Sequence, residues 1–351
     1  MPEPSPEPLL SVRDLRVSFR SAQGRVRAVD GVSFELSAGE ILGVVGESGS
    51  GKSVTLMSLL GLIDNPNVEI EGSVRFRGRE LIGLSAGELQ SVRGREIAYV
   101  FQDPMTALTP VWRVGWQIVE QLRAHTDLSQ AAARARAIEL LAAVGMPSPA
   151  QQFERYPHEL SGGMRQRAVI AMALSCNPAV LIADEPTTAL DVTVQAQILG
   201  LIHRLREQFG SAVLLVTHDM GVVAETADRV MVMYAGRVVE QGSAAELFDT
   251  PWHPYTWGLL GSIPPLDGPR PRRLPAIAGL PPALSALPPG CAFAPRCAAA
   301  HAACTQQRPL LQAGAPGASG PLAPRAHAAA CLLPADERAP ARERCTSLLD
   351  A

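Results

Sequence analysis

At 351 residues the chain exceeds one average domain, so one large domain plus an extension is expected. Hydrophobic residues at 47% and charged residues at 19% suit a globular core and exclude wholesale disorder. A net charge of -3 and a pI near 6.2 give no general electrostatic case for a nucleic-acid partner.

Taken in chain order, the Pro/Glu-rich start is expected to fray. Leu10 to Phe19 and Val29 to Leu36 read as strands, with a turn over Arg20 to Val26. Glu40 to Val45 is a short apolar strand that runs into a Gly/Ser loop, and Ser53 to Leu62 has helical spacing. Val68 to Phe76 and Ile97 to Phe101 are further strands, and Pro104 to about Ala173 is helical. Val180 to Ala183 and Ala212 to Val216 are continuous apolar runs of the buried-strand type, with an amphipathic helix, Val192 to Phe209, between them. Val230 to Tyr234 and Arg237 to Gln241 form a final hairpin around Ala235-Gly236. The alternation predicts an α/β core around a largely parallel sheet with a helical insert. After about Pro251 Pro, Ala and Gly dominate and periodicity fades, which predicts a loop-rich extension with little core of its own.

The most apolar stretch, Ala168 to Ala183, is broken by Ser175, Asn177 and Pro178 and is too short to span a bilayer. The opening MPEPSPEP has neither the basic nor the apolar region of a signal peptide. A cytoplasmic chain is expected, reaching a membrane only through a partner.

Gly46-Glu47-Ser48-Gly49-Ser50-Gly51-Lys52-Ser53 fits the phosphate-loop pattern G-x-x-x-x-G-K-[ST], with a strand before it and a helix after it. Its glycines let backbone N–H groups turn toward phosphate oxygens, and the helix N-terminus adds positive potential. Lys52 can reach the β- and γ-phosphates of ATP, and the Ser53 hydroxyl can ligate Mg²⁺. Asp184 and Glu185 follow an apolar strand at the end that faces the ligand crevice of open α/β sheets. Asp184 can hold Mg²⁺ and Glu185 can act as general base toward a water. Alone, such a pair would be read as a solvated strand end; the upstream phosphate loop reverses that. Leu160-Ser161-Gly162-Gly163-Met164-Arg165-Gln166-Arg167 is a second glycine loop opening onto a helix, which would serve either as an anion site or as a plain N-cap.

The order of phosphate loop, YVFQDP, LSGGMRQR, VLIADEPTTALD and LLVTHD resembles ATP-binding-cassette (ABC) transporter ATPases over roughly residues 10 to 245. The resemblance implies a P-loop NTPase (RecA-like) α/β core with an antiparallel β subdomain and a helical subdomain. It implies a nucleotide-binding domain over 9–250, with the helical part at about 104–173, and an extension over 251–351. It also assigns roles. Gln102 is the Q-loop glutamine, in contact with Mg²⁺ and water. Ser161, Gly162 and Gly163 form the signature loop that caps the γ-phosphate of an opposing subunit. Asp191 links the two sites, and His218 contacts the γ-phosphate. Phe19 stacks on adenine, its plainer alternative being a strand core residue. ATP is bound between two such subunits, whose closure and reopening drive membrane partners.

GES in the phosphate loop, FQDP with LTP, YPHE and the stretch from Thr250 to Thr256 resemble the oligopeptide/dipeptide importer branch, as does Gly290-Cys291-Ala292-Phe293-Ala294-Pro295-Arg296-Cys297 with Cys304. The branch implies two permease subunits, a second ATP-binding subunit, an external binding protein and a place on the cytoplasmic side of the inner membrane. Its cargo is peptide, with nickel, glutathione or a peptide antibiotic as alternatives. A soluble ATPase acting on nucleic acid is the remote alternative, disfavoured by the single cassette and the missing basic excess. In a reducing cytoplasm the crowded C-terminal cysteines favour metal over disulfide. Cys291, Cys297, Cys304 and Cys331 are expected to hold a four-iron four-sulfur cluster, with Zn²⁺ as the alternative, or to remain free thiols. His327 or Cys345 would be a substitute fourth ligand.

Overall fold

The computed structural model describes residues 7–21, 24–187, 192–263, 276–314 and 325–349. The strands are β1 (Leu10–Ser21), β2 (Gly24–Leu36), β3 (Ile41–Val45), β4 (Val68–Phe76), β5 (Arg79–Glu80), β6 (Ile97–Val100), β7 (Val180–Asp184), β8 (Ala212–Val216), β9 (Arg229–Tyr234), β10 (Arg237–Ser243), β11 (Gln312–Ala313) and β12 (Ala328–Ala329). The helices are α1 (Lys52–Leu59), α2 (Ala86–Val92), α3 (Pro104–Ala107), α4 (Val114–His125), α5 (Gln130–Ala143), α6 (Pro149–Phe153), α7 (Gly162–Ala173), α8 (Val192–Phe209), α9 (Met220–Thr226), α10 (Ala244–Asp249), α11 (Pro254–Gly261), α12 (Ala302–Gln306) and α13 (Ala335–Leu349).

The chain divides into two compact units. In the first, made mainly of residues 83–216, β6, β7 and β8 run parallel in that order. Every residue of β7 and β8 is buried, as their unbroken apolar runs require. The helical insert packs α4, α5, α6 and α7 on one another, and α7 also meets β6. Ser129 caps α5 through Ala132 N–H. At Gly163 a Cβ would come within 2.9 Å of Val194 Cγ1, so only glycine lets the start of α7 approach α8 this closely.

The second unit holds residues 8–35, 42–82 and 217–351. Its antiparallel sheet has the order β2-β1-β4-β5, with β1 and β4 in register from Leu10↔Phe76 to Phe19↔Val68. A second set of strands runs β11-β12-β10-β9-β3, where β3 is parallel to β9 and the rest pair antiparallel. The β9–β10 hairpin turns at Ala235-Gly236, both with positive φ, as the sequence leads one to expect.

The extension differs from its sequence expectation. It forms α11 and α13, and its β12 adds to β10 through Glu240↔Ala329 and Gln241↔Ala328. Tyr255 and Phe293 join Val45, Val230, Val232 and Tyr234 in one buried cluster. The extension therefore shares the hairpin's core and adds only a small cluster of its own, Trp257, Leu333 and Ala341. The fully buried Glu240 of β10 anchors it by accepting from Trp252 N–H (2.6 Å), His253 N–H (2.9 Å) and the His327 ring Nε2 (2.8 Å). Trp252 stacks on His327 at 3.7 Å, and the Arg338 guanidinium covers the Trp252 ring at 4.8 Å.

Candidate functional site: a nucleotide-binding loop and a carboxylate pair

In the second unit β3 delivers the chain into the phosphate loop. Gly46 adopts φ 151° and Gly51 φ 100°. A Cβ at Gly46 would meet Met233 O at 2.3 Å, and one at Gly51 would meet Ala28 O at 2.7 Å, so both positions need glycine for backbone conformation and for space. The bend leaves a cradle that α1 closes with its first turn at Lys52. The Lys52 ammonium is buried and donates to Gly46 O (2.7 Å) and Glu47 O (3.0 Å). Phosphate oxygens would replace those two carbonyls with charge-assisted partners. The buried Ser50 hydroxyl has no partner among the described residues, as expected for a donor awaiting a ligand. Ser53 is half-buried at the start of α1, while Ser48 and Gly49 are exposed on the loop crest. His218 is exposed, and Thr217 N–H beside it donates to Val44 O (3.3 Å), so it lies next to the strand that feeds the loop. Asp219 caps α9 through Gly221 and Val222 N–H. Phe19 is half-buried near the C-terminal end of β1.

In the first unit Asp184 ends β7 and is buried. One carboxylate oxygen accepts the Tyr99 hydroxyl at 2.7 Å; the other has no partner among the described residues. A buried, half-satisfied carboxylate is costly in the apo protein and fits a hard cation, so the site suits Mg²⁺. Burial and the neighbouring Asp184 charge push the Tyr99 hydroxyl well above its ordinary range, which keeps it a donor to Asp184. Glu185 follows with φ 47°, a left-handed conformation that is uncommon outside glycine, and its N–H bonds to Val216 O at 2.9 Å. The turn carries its carboxylate off the strand axis, where it accepts the Gln102 amide at 2.8 Å. Gln102 and Glu185, predicted separately, are thus brought together. Ser161 caps α7 through Met164 N–H, with Gly162 and Gly163 as its first residues, so the N-cap reading holds and the helix N-terminus is open for an anion as well. Asp191 lies outside the described residues.

Among the described residues no three His, Cys, Asp or Glu groups converge as metal ligands. The four expected thiols are gathered more loosely, with Cys291 N–H bonded to Cys304 O at 2.8 Å. Burial pushes the Cys297 thiol up to about 12 and that of Cys331 up to about 11, and the neighbouring thiols push both the same way. His327 bonds to Glu240 at 2.8 Å, and Cys345 and Cys331 both pack against the Trp257–Leu333–Ala341 cluster.

Sequence reasoning missed Tyr99, Tyr255 and Arg296. Glu47 N–H donates to the Tyr255 hydroxyl at 2.7 Å, and the Arg296 guanidinium pairs with the Glu47 carboxylate at 2.6 and 2.9 Å. The one available signal was a lone arginine between two cysteines in an otherwise apolar stretch.

Comparison with known proteins agrees with this geometry. The ABC transporter family matches residues 29–188, and the oligopeptide/dipeptide transporter C-terminal region matches residues 239–304. A probable peptide ABC transporter ATP-binding protein, y4tR of Sinorhizobium fredii, is 50% identical over 329 residues, covering 93% of this chain and 96% of the relative. The oligopeptide transport ATP-binding protein OppD of Salmonella typhimurium is 50% identical over 316 residues, covering 89% and 93%. The ATP-binding cassette MJ0796, solved as a post-hydrolysis dimer bound to ADP and Pi, superposes with a TM-score of 0.60 at 29% identity, covering 67% of this chain and 98% of that one. With the phosphate loop, the carboxylate pair and the capped signature helix all in place, the chain belongs to the ABC transporter ATP-binding proteins, in the family that includes OppD, and it is an ATP-hydrolysing cassette.

Proposed function

We propose that this ATPase energises an importer of di- and oligopeptides. The observation that carries the reading is the match of residues 239–304 to the oligopeptide/dipeptide transporter C-terminal region, together with the peptide-transport names of the relatives. Residues 9–250 act as the nucleotide-binding domain and 251–351 as its extension.

Each residue of the cassette has a task. Lys52 exchanges the Gly46 and Glu47 carbonyls for phosphate oxygens, and the loop N–H groups and Ser50 hydroxyl hold the rest of the triphosphate. Asp184 offers its unpaired oxygen to Mg²⁺, which neutralises phosphate charge; Ser53 and Gln102 keep the ligand roles given by the resemblance. Glu185 takes a proton from the attacking water, and Gln102 fixes the orientation of that carboxylate. His218 contacts the γ-phosphate, Phe19 stacks on adenine, and Ser161, Gly162 and Gly163 face the nucleotide of a second ATP-binding subunit, with Asp191 linking the two sites.

The permease partners are read from an exposed apolar patch. Among the described residues no helix is long and apolar enough to cross a membrane. Just beyond Gln102, Met105, Val111, Trp112 and Trp116 are exposed, and the two indoles stack at 4.4 Å. Large solvent-facing aromatics of this kind mark a partner surface. Two permease subunits occupy these patches, and an external binding protein delivers the cargo. The assembly sits on the cytoplasmic face of the inner membrane. In vesicles carrying the permeases, ATP hydrolysis should rise when peptide-loaded binding protein is added, and Trp112→Ser with Trp116→Ser should abolish recovery of the chain with the membrane. Stimulation by nickel or glutathione instead of peptide would move the cargo to those alternatives. Flotation of the isolated chain with lipid would refute indirect attachment.

Cys291, Cys297, Cys304 and Cys331 are further proposed to close on a four-iron four-sulfur cluster or Zn²⁺. The support is that these thiols lie near enough to raise one another's pKa. Binding would require their deprotonation and a local contraction of the tail. Anaerobically purified protein free of iron and zinc would remove this centre and leave the ATPase untouched.

A further inference from the structure

The structure assigns Arg296 a place in nucleotide binding: we propose that the C-terminal extension, through Arg296 and Tyr255, holds Glu47 and thereby sets the shape and the charge balance of the phosphate loop.

Arg296 ends a short 3-10 turn, Ala294–Arg296, between Cys291 and Cys297. Its side chain is only 5% exposed. Each guanidinium N–H direction has an acceptor. The two Nη groups fork onto the Glu47 carboxylate at 2.6 and 2.9 Å, Nε donates to Ala278 O at 2.9 Å, and the remaining Nη donors meet Tyr234 Oη and Ile277 O, both at 3.3 Å. The Tyr234 and Phe293 rings flank the guanidinium, each with its centroid 5.9 Å away. A buried arginine with all donors used and a two-point carboxylate partner is a fixed object, unlike a surface ion pair.

Glu47 is held at three points. Its carboxylate is gripped by Arg296, its N–H by the buried Tyr255 hydroxyl, and its carbonyl by Lys52. When Lys52 turns to phosphate, the third hold is released. The two holds from the extension remain, so the loop keeps its shape while the ligand enters. Charge matters equally. Glu47 stands next to Gly46 in a loop that must receive a polyanion, and an unpaired carboxylate there would repel it. Arg296 cancels that charge.

Arg296 is therefore a positioning residue, and the charge argument separates this role from simply keeping the tail folded. In the full-length chain with Mg²⁺, Arg296→Ala should raise the Kd for a fluorescent ATP analogue about tenfold, with kcat changed by less than about twofold. Adding Glu47→Gln to Arg296→Ala removes the stranded carboxylate and should return the Kd to within about threefold of wild type. Arg296→Lys, which keeps the charge but not the fork, should fall between. An Arg296→Ala protein with unchanged affinity overturns the proposal. So does a loss of affinity that Glu47→Gln does not relieve, because Arg296 would then serve the fold of the extension alone. Should Arg296→Ala not fold, Tyr255→Phe carries the test: it removes one hydroxyl, should weaken ATP binding about threefold, and contradicts the proposal if binding is unaltered.

Discussion

In the phosphate loop the bonds of Lys52 span five and six residues, and the glycines at 46 and 51 bend the chain where no other residue fits. In the extension the corresponding bonds span far longer stretches of chain: Glu240 to His327 across 87 residues and Arg296 to Glu47 across 249. The first region bends and closes its cradle with its own backbone, and Glu47 is also held from outside it. The second acquires order mainly by docking charged and aromatic groups onto a core made elsewhere, with one small cluster of its own. A change in the loop should therefore remove function while the protein stays folded, and a disturbance of the extension away from Arg296 and Tyr255 should first loosen the protein and only then touch function.

The largest expected effect is in the loop. Gly51→Ala forces a Cβ toward Ala28 O, 2.7 Å away, at a φ of +100°. Relief requires the loop to open, so affinity for ATP should fall about a hundredfold or more while the melting temperature moves by only a few degrees, about what 1 kcal/mol produces. Calorimetric binding and a thermal melt on the same sample check both halves. A variant that binds ATP normally would break the contrast at its stronger end.

A smaller effect is expected from acid. His253 is buried and neutral, its Nδ1 accepting Tyr255 N–H at 3.0 Å, and burial holds its pKa down to about 4. The unfolded chain takes up a proton near the ordinary histidine value of about 6.5, before the folded one does. Stability from this group is thus complete above about pH 6.5 and is lost as pH falls toward about 4, a change of at most about 3 kcal/mol. Protease cleavage in the tail should accelerate over that window ahead of any loss of nucleotide binding, and His253→Gln should flatten the response. Loss of nucleotide binding ahead of cleavage in the tail would contradict this order.

The same contrast explains what could be read from sequence. The phosphate loop, β3, β4, β7, β8, α8 and the β9–β10 hairpin follow from local pattern, because hydrophobic period and turn glycines act over a few residues. Gln102 and Glu185 were placed by motif order, and the structure adds the hydrogen bond that joins them. Tyr99 was invisible because its function rests on a partner 85 residues away. The extension reads as loop in sequence because α13 carries Pro340 inside it and β12 is two residues long, neither of which leaves a periodic signature. Its cysteines are legible from their crowding, their spacing and the branch resemblance, none of which gives the distances between thiols.

The central claim is that this chain spends ATP through Glu185. Purified Glu185→Gln protein, assayed for Mg²⁺-ATP binding and for steady-state phosphate release, tests it most directly. The account predicts binding equal to wild type and turnover reduced by about two to four orders of magnitude, the contribution of a positioned general base. Phosphate release near the wild-type rate would contradict it.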